Sequence, residues 1–256
     1  MKHLIIILLI TCIFIGASFS FAAECGDIDE TEGINILDIV HLINFVYKDG
    51  PDPICDAEFG TVTDIDGYVY KTVIIDGNEW MVENLKTTHY RNGDPIAEVA
   101  ANYTWSNLST GAYCEYDNDI GNVATYGRLY NWYAVNDSRN IAPEGWHVPS
   151  ATEHIFIVDY LGGEDDAGGK MKEAGTTHWL SPNIGATNES GYTALPAGYR
   201  STSGDYNDIG MFTCFWAATS LTPTTAWVIY MYNYESGCHE NVAPKKSGYS
   251  VRCVKD

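Results

Sequence analysis

The stretch PEGWHVPSATEHIFIVDYLGG, residues 143–163, constrains the fold more than any other part of the chain. Pro149 ends a short predicted strand, Ser150 stands at an N-cap position, and Glu153 completes a capping box with it. A helix is therefore predicted after Ser150, and the two glycines that close the stretch end it. We interpret the stretch, with Trp146, as core scaffold, because it contains no obvious catalytic group. The predicted buried face of the helix consists of Ile155, Phe156, Val158 and Leu161, with Ile157 and Tyr160 at its edges.

The first 22 residues have the three parts of a secretory signal peptide. A lysine lies near the start, residues 4–15 are mostly apolar, and the exit GASFSFAA ends in small residues. We predict that residues 1–22 are a signal peptide cleaved after Ala22; a lipoprotein that uses Cys12 is the alternative. Since no other stretch is long enough to span a bilayer, we expect a secreted, extracellular or cell-surface protein with no membrane span in the mature chain.

The composition argues against some classes of partner. Asp and Glu number 34 and Lys and Arg 14, which gives a formal net charge of −20. This excess of negative charge argues against nucleic acid and against anionic membrane surfaces, because both repel it. The 18 tyrosines and 7 tryptophans favour strands, and loops that stack on flat ligands such as sugars. The alternative is that these aromatic residues fill a small core.

Seven cysteines are present, and signal-peptide cleavage leaves six: Cys25, Cys55, Cys114, Cys214, Cys238 and Cys253. An even number of cysteines in an exported chain predicts disulfides. No two of them have Cys-x-x-Cys spacing, so neither zinc binding nor thioredoxin-like chemistry is expected.

Residues 25–55 are predicted to be a separate unit, in which a loop of oxygen-bearing residues precedes an apolar helix. The helix from Ile36 to Tyr47 is apolar on almost every side, so the following domain, a second chain or a receptor must cover it. An acidic N-cap before an ordinary core helix is the alternative. Positions 1, 3, 5, 9 and 12 of a calcium-binding loop, and position 7 through a backbone carbonyl, are matched in turn by Asp27, Asp29, Thr31, Asn35, Asp38 and Gly33.

The segment GINILDIVHLINFVYKDGP within this unit resembles one repeat of a dockerin. The resemblance implies calcium as a cofactor and a cohesin-type or other protein partner. Thr31 replaces an aspartate of the family pattern, Glu32 replaces a turn glycine, and the second repeat is absent, so weak calcium affinity is expected. Cys25 and Cys55 bracket the unit and are predicted to close it as a disulfide.

A short linker, residues 56–60, precedes a domain that we predict to span residues 61–256. Asp66–Gly67 is a standard hairpin turn, so the Asp64 and Asp66 side chains are interpreted as turn residues rather than cation ligands. The alternating residues on either side predict a hairpin of Thr61–Asp64 and Tyr68–Ile75. Further predicted elements are a strand at Glu79–Val82, a helix at Tyr126–Val135, a helical turn at Gly168–Ala174, a strand near Tyr192, and strands at Cys214–Thr219, Ala226–Tyr232 and Tyr249–Val254.

Six motifs occur in order along this domain: WMVENLKTTHY, YGRLYNWYAV, PEGWHVPSATEH, GTTHWLSPNIGATNESGYTALPAGYR, FWAATS and GYSVRCVKD. Together they are similar to the Fibrobacter succinogenes major paralogous domain, from about Val62 to Asp256. The resemblance implies an α+β, C-type-lectin-like fold with two small antiparallel sheets, two helices, and a long loop region that carries ligand sites in true C-type lectins. It also implies a secreted or surface location, but no reaction.

The formylglycine-generating enzymes share that fold, and WHVPSATEH looks like their Leu-Pro-Thr-x-x-Glu segment. Those enzymes hold a copper ion between two close cysteines. In this chain Cys214, Cys238 and Cys253 are separated by 24 and 15 residues, so that pair is missing. We therefore predict no catalytic residues, and an enzyme on this scaffold stays an alternative.

The long loop contains the candidate ligand-binding residues. Ser181–Pro182–Asn183 resembles the Glu-Pro-Asn calcium and sugar motif of C-type lectins, and Asn188 and Glu189 could add oxygen ligands. The alternative is that these side chains bind backbone groups of their own loop. No pair among the three nearby histidines has a recognisable metal-ligand spacing, so a structural role is predicted for His147, His154 and His178.

The sequence thus predicts a secreted or cell-surface, non-catalytic binding module with a glycan or a protein as its ligand. The dockerin-like unit would attach it to an extracellular polysaccharide-degrading assembly. Two alternatives stay open: an enzyme on a formylglycine-generating-enzyme-like scaffold, and a purely structural surface protein.

Overall fold

A computed structural model describes residues 60–256 of the protein. The predicted signal peptide, the calcium-loop unit and residues 56–59 of the linker lie outside the described residues. The same holds for every predicted calcium ligand and for the predicted disulfide, that is, for Asp27, Asp29, Thr31, Gly33, Asn35, Asp38, Cys25 and Cys55. Between residues 60 and 256, no helix is long and apolar enough to cross a membrane.

These residues form a mixed α/β structure of several small sheets and few helices. The strands are β1 (Gly60–Thr63), β2 (Val69–Ile75), β3 (Asn78–Met81), β4 (Ala97–Glu98), β5 (Ala112–Cys114), β6 (Leu129–Tyr130), β7 (Trp146–His147), β8 (Tyr199–Arg200), β9 (Tyr206–Asn207), β10 (Phe212–Ser220), β11 (Thr225–Tyr232), β12 (His239–Pro244) and β13 (Val254–Lys255). The helices are α1 (Asn102–Ser106), α2 (Val123–Tyr126), α3 (Trp132–Val135), α4 (Ala151–Tyr160) and α5 (Ala167–Met171), and 3₁₀ turns occupy Tyr116–Asn118 and Ile120–Asn122.

The described strands form four sheets. The largest has the order β1-β2-β3-β13-β7 and is antiparallel throughout. The second, with the order β10-β11-β12, is also antiparallel. The other two, β4-β5-β6 and β8-β9, are built of strands of two or three residues, and β4 pairs with β5 in parallel. The resemblance implied only two sheets and two helices; the excess arises because the long loops form short strand pairs and single helical turns of their own.

The predicted first hairpin is confirmed, with β1 antiparallel to β2. The Asp64 carboxylate accepts hydrogen bonds from the amides of Asp66 and Tyr68, both at 3.0 Å. The Asp66 carboxylate accepts one from the Thr88 amide and lies 2.5 Å from His89 Nδ1. The Asp64 carboxylate therefore closes the turn, as interpreted from the sequence, whereas the Asp66 carboxylate binds the distant Thr88–His89 segment.

The predicted helix after Ser150 is α4, and its capping box is present. Ser150 Oγ accepts a hydrogen bond from the Glu153 amide at 3.2 Å, and the Glu153 carboxylate accepts one from the Ser150 amide at 2.7 Å. Trp146, on β7, is buried as predicted.

The buried face of α4 differs from the predicted one. Its core positions are His154, Ile157 and Val158, whereas Phe156 is 60% exposed. Residues three and four apart share a face of a helix, so burying these three places Phe156 on the opposite side. The prediction was therefore wrong for Phe156, which it placed in the core for its hydrophobicity, and it did not include His154 in the buried face; Val158 and Leu161 are buried as predicted.

The helix predicted at Tyr126–Val135 is wrong, because the segment is divided among α2, β6 and α3. Gly127 ends α2 with a φ of +71°, a conformation that a longer helix does not allow. Asn131 then starts α3 as its N-cap, and its side chain accepts a hydrogen bond from the Ala134 amide. Two further strands are displaced: the strand expected near Tyr192 is β8, and the one expected at Tyr249–Val254 is reduced to single bridges and β13.

The four cysteines in the described part of the chain are free and buried: Cys114, Cys214, Cys238 and Cys253. The disulfide prediction from the even cysteine count is therefore wrong for these four. Burial raises the pKa of each thiol, to about 11 for Cys114, so the thiols stay protonated at neutral pH. They fill the interior as small apolar side chains.

Two arginines from the sequence motifs are buried and hold loops together. Arg200 Nε donates to the Gly204 carbonyl at 2.9 Å, and its guanidinium lies 4.5 Å from the Trp105 ring centroid. Arg252 Nε donates to Asn84 Oδ1 at 2.9 Å. These residues are structural, because their buried guanidinium groups donate to the carbonyls and side chains of neighbouring loops.

Candidate functional site

A group of partly exposed aromatic side chains lies at one end of the β10-β11-β12 sheet. Tyr230 and Tyr232 point to the same side of β11, since side chains alternate along a strand. Tyr234, in the turn two residues after Tyr232, is 56% exposed, and Tyr199 and His239 lie on either side of the pair. We call this group, Tyr199, Tyr230, Tyr232, Tyr234 and His239, the tyrosine face.

The rings of the tyrosine face are in continuous contact. The Tyr232 and Tyr234 rings are stacked, with their centroids 4.7 Å apart and their planes 20° apart. The buried Phe212 ring on β10 packs against them; its centroid lies 4.7 Å from that of Tyr232 and 5.5 Å from that of Tyr199. Tyr230 lies 5.4 Å from His239 on the neighbouring strand. The Tyr230 and Tyr232 rings meet edge to face, with their planes 76° apart. Since each ring contacts another, the face is a preorganised aromatic cluster in which Tyr234 is the most exposed ring.

Carboxylates surround the tyrosine face. Burial, neighbouring tyrosines and the charge of Asp208 raise the pKa of Tyr232 to about 12, so its hydroxyl is neutral at physiological pH. His239 Nδ1 lies 2.7 Å from a Glu164 oxygen and Nε2 lies 3.3 Å from a Glu235 oxygen. Burial would lower the pKa of His239, but these two carboxylates outweigh it and raise the pKa. The histidine thereby ties the loop after α4 to the end of the sheet.

Exposed apolar side chains border the same surface. Leu180, Ile184 and Met211 are each 40–54% exposed. All three residues lie beside Asn233, which is hydrogen-bonded to each of them. The Asn233 backbone amide donates to the Met211 carbonyl, and the Asn233 side chain donates to the Leu180 carbonyl. The Asn233 carbonyl accepts a hydrogen bond from the Ile184 amide. The surface around Tyr234 therefore combines flat rings, aliphatic groups and a carboxylate rim.

The predicted ligand residues of the long loop bind their own loop. The buried Asn183 side chain donates to the carbonyls of Glu173 and Gly175 at 2.9 and 2.6 Å. Asn188 Oδ1 accepts a hydrogen bond from the Thr193 amide at 2.8 Å. These contacts match the alternative interpretation, in which the amides satisfy the loop backbone.

Glu189 is the one predicted loop ligand that faces solvent, and its carboxylate lies 3.9 Å from Lys170 Nζ. The described residues contain no group of three or more His, Cys, Asp or Glu side chains placed to hold a metal ion.

The three histidines singled out in the sequence have separate surroundings. His147 lies between the carboxylates of Glu153 and Asp256, at 2.8 and 2.7 Å. His178 pairs with Glu173 at 2.7 Å. His154 is fully buried in the core beside Trp80. Each therefore holds its own part of the scaffold, in line with the predicted structural role.

A separate cleft of about 210 Å³ is lined by Thr63–Ile65, Arg91 and residues 141–144. The Arg91 side chain donates to the carbonyls of Ala142, Pro143 and Trp146. The Arg91 guanidinium is thus already hydrogen-bonded within the protein, and the cleft is smaller than ordinary ligand pockets. The cleft is therefore a weaker candidate for a ligand-binding site than the tyrosine face.

Sequence reasoning missed the tyrosine face. Its signal is the spacing of two between Tyr230 and Tyr232, which places both on one side of a strand, with Tyr234 two residues further on in the turn. Reaching the face from the sequence would also require the pairing of β11 with β10 and β12, because that pairing brings Phe212 and His239 alongside.

The protein is thus a mixed α/β domain with small sheets, long connecting loops held by buried side chains, and an aromatic surface at the end of one sheet. The Fibrobacter succinogenes major domain matches residues 73–255, and the chain belongs to this family. No curated protein and no solved structure shows significant similarity to the chain. The resemblance inferred from the six sequence motifs is confirmed at the level of the family.

Proposed function

We propose that the protein is a secreted or cell-surface, non-catalytic module that binds glycans through the tyrosine face. The observation that carries this proposal is the stacked, braced and partly exposed set of Tyr230, Tyr232 and Tyr234. Pyranose rings present flat apolar C–H faces edged by hydroxyls. They suit aromatic rings that offer both apolar area and a polar hydroxyl, within a rim of hydrogen-bonding carboxylates.

The C-type-lectin-like fold is part of the same proposal. The two larger antiparallel sheets, α4 with its capping box, and the long loop from Gly175 to Gly198 are features that such a fold would require. In this arrangement the tyrosine face lies next to the long loop, since Ile184 and Asn233 are hydrogen-bonded.

Substitution of Tyr234 tests the glycan proposal. After a glycan array has identified the best ligand, Tyr234→Ala is expected to weaken its affinity by about tenfold, or about 1.4 kcal/mol, since a stacking surface is lost. Tyr160→Ala is the matched control, because Tyr160 is 58% exposed but lies on α4. Equal affinities for the two variants would exclude the tyrosine face, and an array with no binding would exclude a glycan ligand.

We further propose that the dockerin-like unit at residues 25–55 binds calcium weakly and joins the protein to a cohesin-type partner. The support is its spacing of oxygen-bearing residues from Asp27 to Asp38. Calorimetric titration with calcium is expected to give binding heat for the wild type and none for the double variant Asp27→Ala, Asp38→Ala. Absence of heat from the wild type would rule out the calcium role.

A further inference from the structure

Lys172 is a buried cation placed directly beneath the tyrosine face. It follows α5, has no exposed surface, and donates three hydrogen bonds from Nζ. The acceptors are the carbonyls of Ile184 at 2.9 Å, Tyr232 at 2.9 Å and Glu235 at 2.6 Å. Two segments that are distant in sequence, the long loop and the turn that carries Tyr234, therefore converge on one ammonium group.

Other contacts hold the same two segments close to α5. The Gly169 amide donates to the Ser236 carbonyl at 2.7 Å. A side chain at Gly168 would collide with the Gly237 carbonyl, and one at Gly169 would collide with the Gly185 carbonyl. The backbones thus approach as closely as glycine allows, and Lys172 Nζ fills the space between them.

Three backbone carbonyls converge on Lys172 Nζ, at a place where many proteins bind a metal ion. Carbonyl oxygens from irregular backbone repel one another when they converge in a buried place, and calcium commonly relieves this repulsion by binding several of them. An ammonium group can do the same with three donors, and hydrogen bonds to a charged donor are stronger than neutral ones. Burial lowers the pKa of Lys172 to about 8, while the Glu235 carboxylate opposes that shift, so the charged form predominates at neutral pH.

We propose that Lys172 is a positioning residue for the tyrosine face: its ammonium takes the place of a loop-binding cation, so ligand binding at the face requires no calcium. The inference rests on the proposed function of the face. It makes one side chain of the protein itself the cation that links the Tyr232–Glu235 turn to the loop at Ile184.

Calcium dependence is the first test. The full chain with Asp27→Ala and Asp38→Ala removes the proposed N-terminal calcium loop from the measurement. Its affinity for the best glycan on the array is expected to be the same in millimolar calcium and in excess EDTA. A loss of about tenfold or more in EDTA would overturn the inference, because it would show that a bound metal orders the site.

Chemical rescue is the second test. Lys172→Ala is expected to weaken glycan affinity by about tenfold or more, and propylammonium is expected to restore it, whereas 1-propanol of similar size is not. Lys170→Ala is the matched control, since Lys170 is a partly exposed lysine two residues earlier. Equal rescue by the alcohol would mean that Lys172 only fills space and would overturn the inference. Where the alanine variant does not fold, Lys172→Met keeps most of the stem but leaves no space for the amine, so it is compared with Lys170→Met by affinity alone. Equal affinities of these two variants would overturn the inference.

Hydrogen exchange separates this inference from the proposed function, because it requires no ligand. Lys172→Ala is expected to speed amide exchange at residues 182–187 and 232–237 relative to Lys170→Ala, and propylammonium is expected to slow it again. An unchanged exchange pattern would overturn the role of Lys172. A wild type that binds no glycan would instead overturn the proposed function.

Discussion

Arg252→Met is expected to lower the free energy of unfolding by about 3 kcal/mol. Arg252 is 1% exposed and donates to Asn84 Oδ1 and to the carbonyls of Tyr192 and Thr193. Its guanidinium also lies 4.3 Å from the Tyr192 ring centroid. Methionine fills most of the volume but donates no hydrogen bonds, so buried acceptors lose their partners. That loss outweighs the relief of no longer burying a charge.

Urea unfolding of matched arginine variants measures this effect. Arg139→Met is the control, because Arg139 is partly exposed and pairs with Asp94 and Asp137 at the surface. Its unfolding midpoint is expected to stay close to that of the wild type, since surface ion pairs contribute little. If Arg252→Met were no more destabilising than Arg139→Met, the assignment of Arg252 as a structural cation would be wrong.

The pH dependence of stability is expected to depend strongly on His154. Burial lowers the pKa of His154 to about 4, against an ordinary value of 6.5, although the charge of Glu153 opposes this shift. Neither ring nitrogen has a hydrogen-bond partner among the described residues, and the ring stacks on Trp80 with 6.1 Å between centroids. The folded protein therefore keeps this side chain neutral where the unfolded chain would protonate it.

The sign and size of the effect follow from linkage. Below pH 6.5 the His154 ring binds a proton in the unfolded state but stays neutral in the folded state. The contribution of His154 to the free energy of unfolding is therefore fully present above pH 6.5 and is lost as the pH falls towards 4. The full contribution is about 3 kcal/mol, from 1.36 kcal/mol for each pKa unit. We expect the wild type to lose that much more than His154→Leu between pH 7 and pH 4.

Urea unfolding at several pH values tests this prediction. His154→Leu removes the titrating ring and both unpartnered nitrogens at similar volume, so it is expected to be at least as stable as the wild type at pH 7. The other titrating groups are common to both proteins, and the difference between the two curves isolates His154. Parallel curves for the two proteins would contradict a buried neutral histidine.

Local sequence signals predicted those elements that local chemistry determines. The capping box of Ser150 and Glu153 placed the start of α4 correctly, because both partners lie within four residues. The turn at Asp66–Gly67 placed the first hairpin, since the Asp64 carboxylate closes it locally. No distant contact is needed for either element.

Tertiary contacts decided the elements that were predicted wrongly. His154 took a core position on α4 because Trp80 and the β10-β11-β12 sheet face it, whereas the more hydrophobic Phe156 faces solvent. The helical spacing of Tyr126–Val135 did not produce one helix, because the chain breaks at Gly127. There the backbone passes so close to Asn84 and Leu85 that a side chain would collide with them. Neither neighbour can be identified from spacing within one segment.

The candidate site required the same long-range information. The asparagines Asn183 and Asn188 suggested a ligand set, but their amides bind Glu173, Gly175 and Thr193 in their own loop. The tyrosine face depends instead on strand pairing across β10, β11 and β12, which a single sequence does not specify. The sequence motifs identified the family of the domain, whereas the aromatic surface became visible only in the folded chain.

The central claim is that a glycan binds at the tyrosine face. Its most direct test is an NMR titration of the isotope-labelled protein with the best ligand from the array, following amide and aromatic side-chain signals. We predict that the largest shift changes occur at Tyr230, Tyr232, Tyr234 and His239. Changes concentrated at Asn183, Asn188 and Glu189, with the tyrosine signals unmoved, would contradict the account and return the site to the long loop.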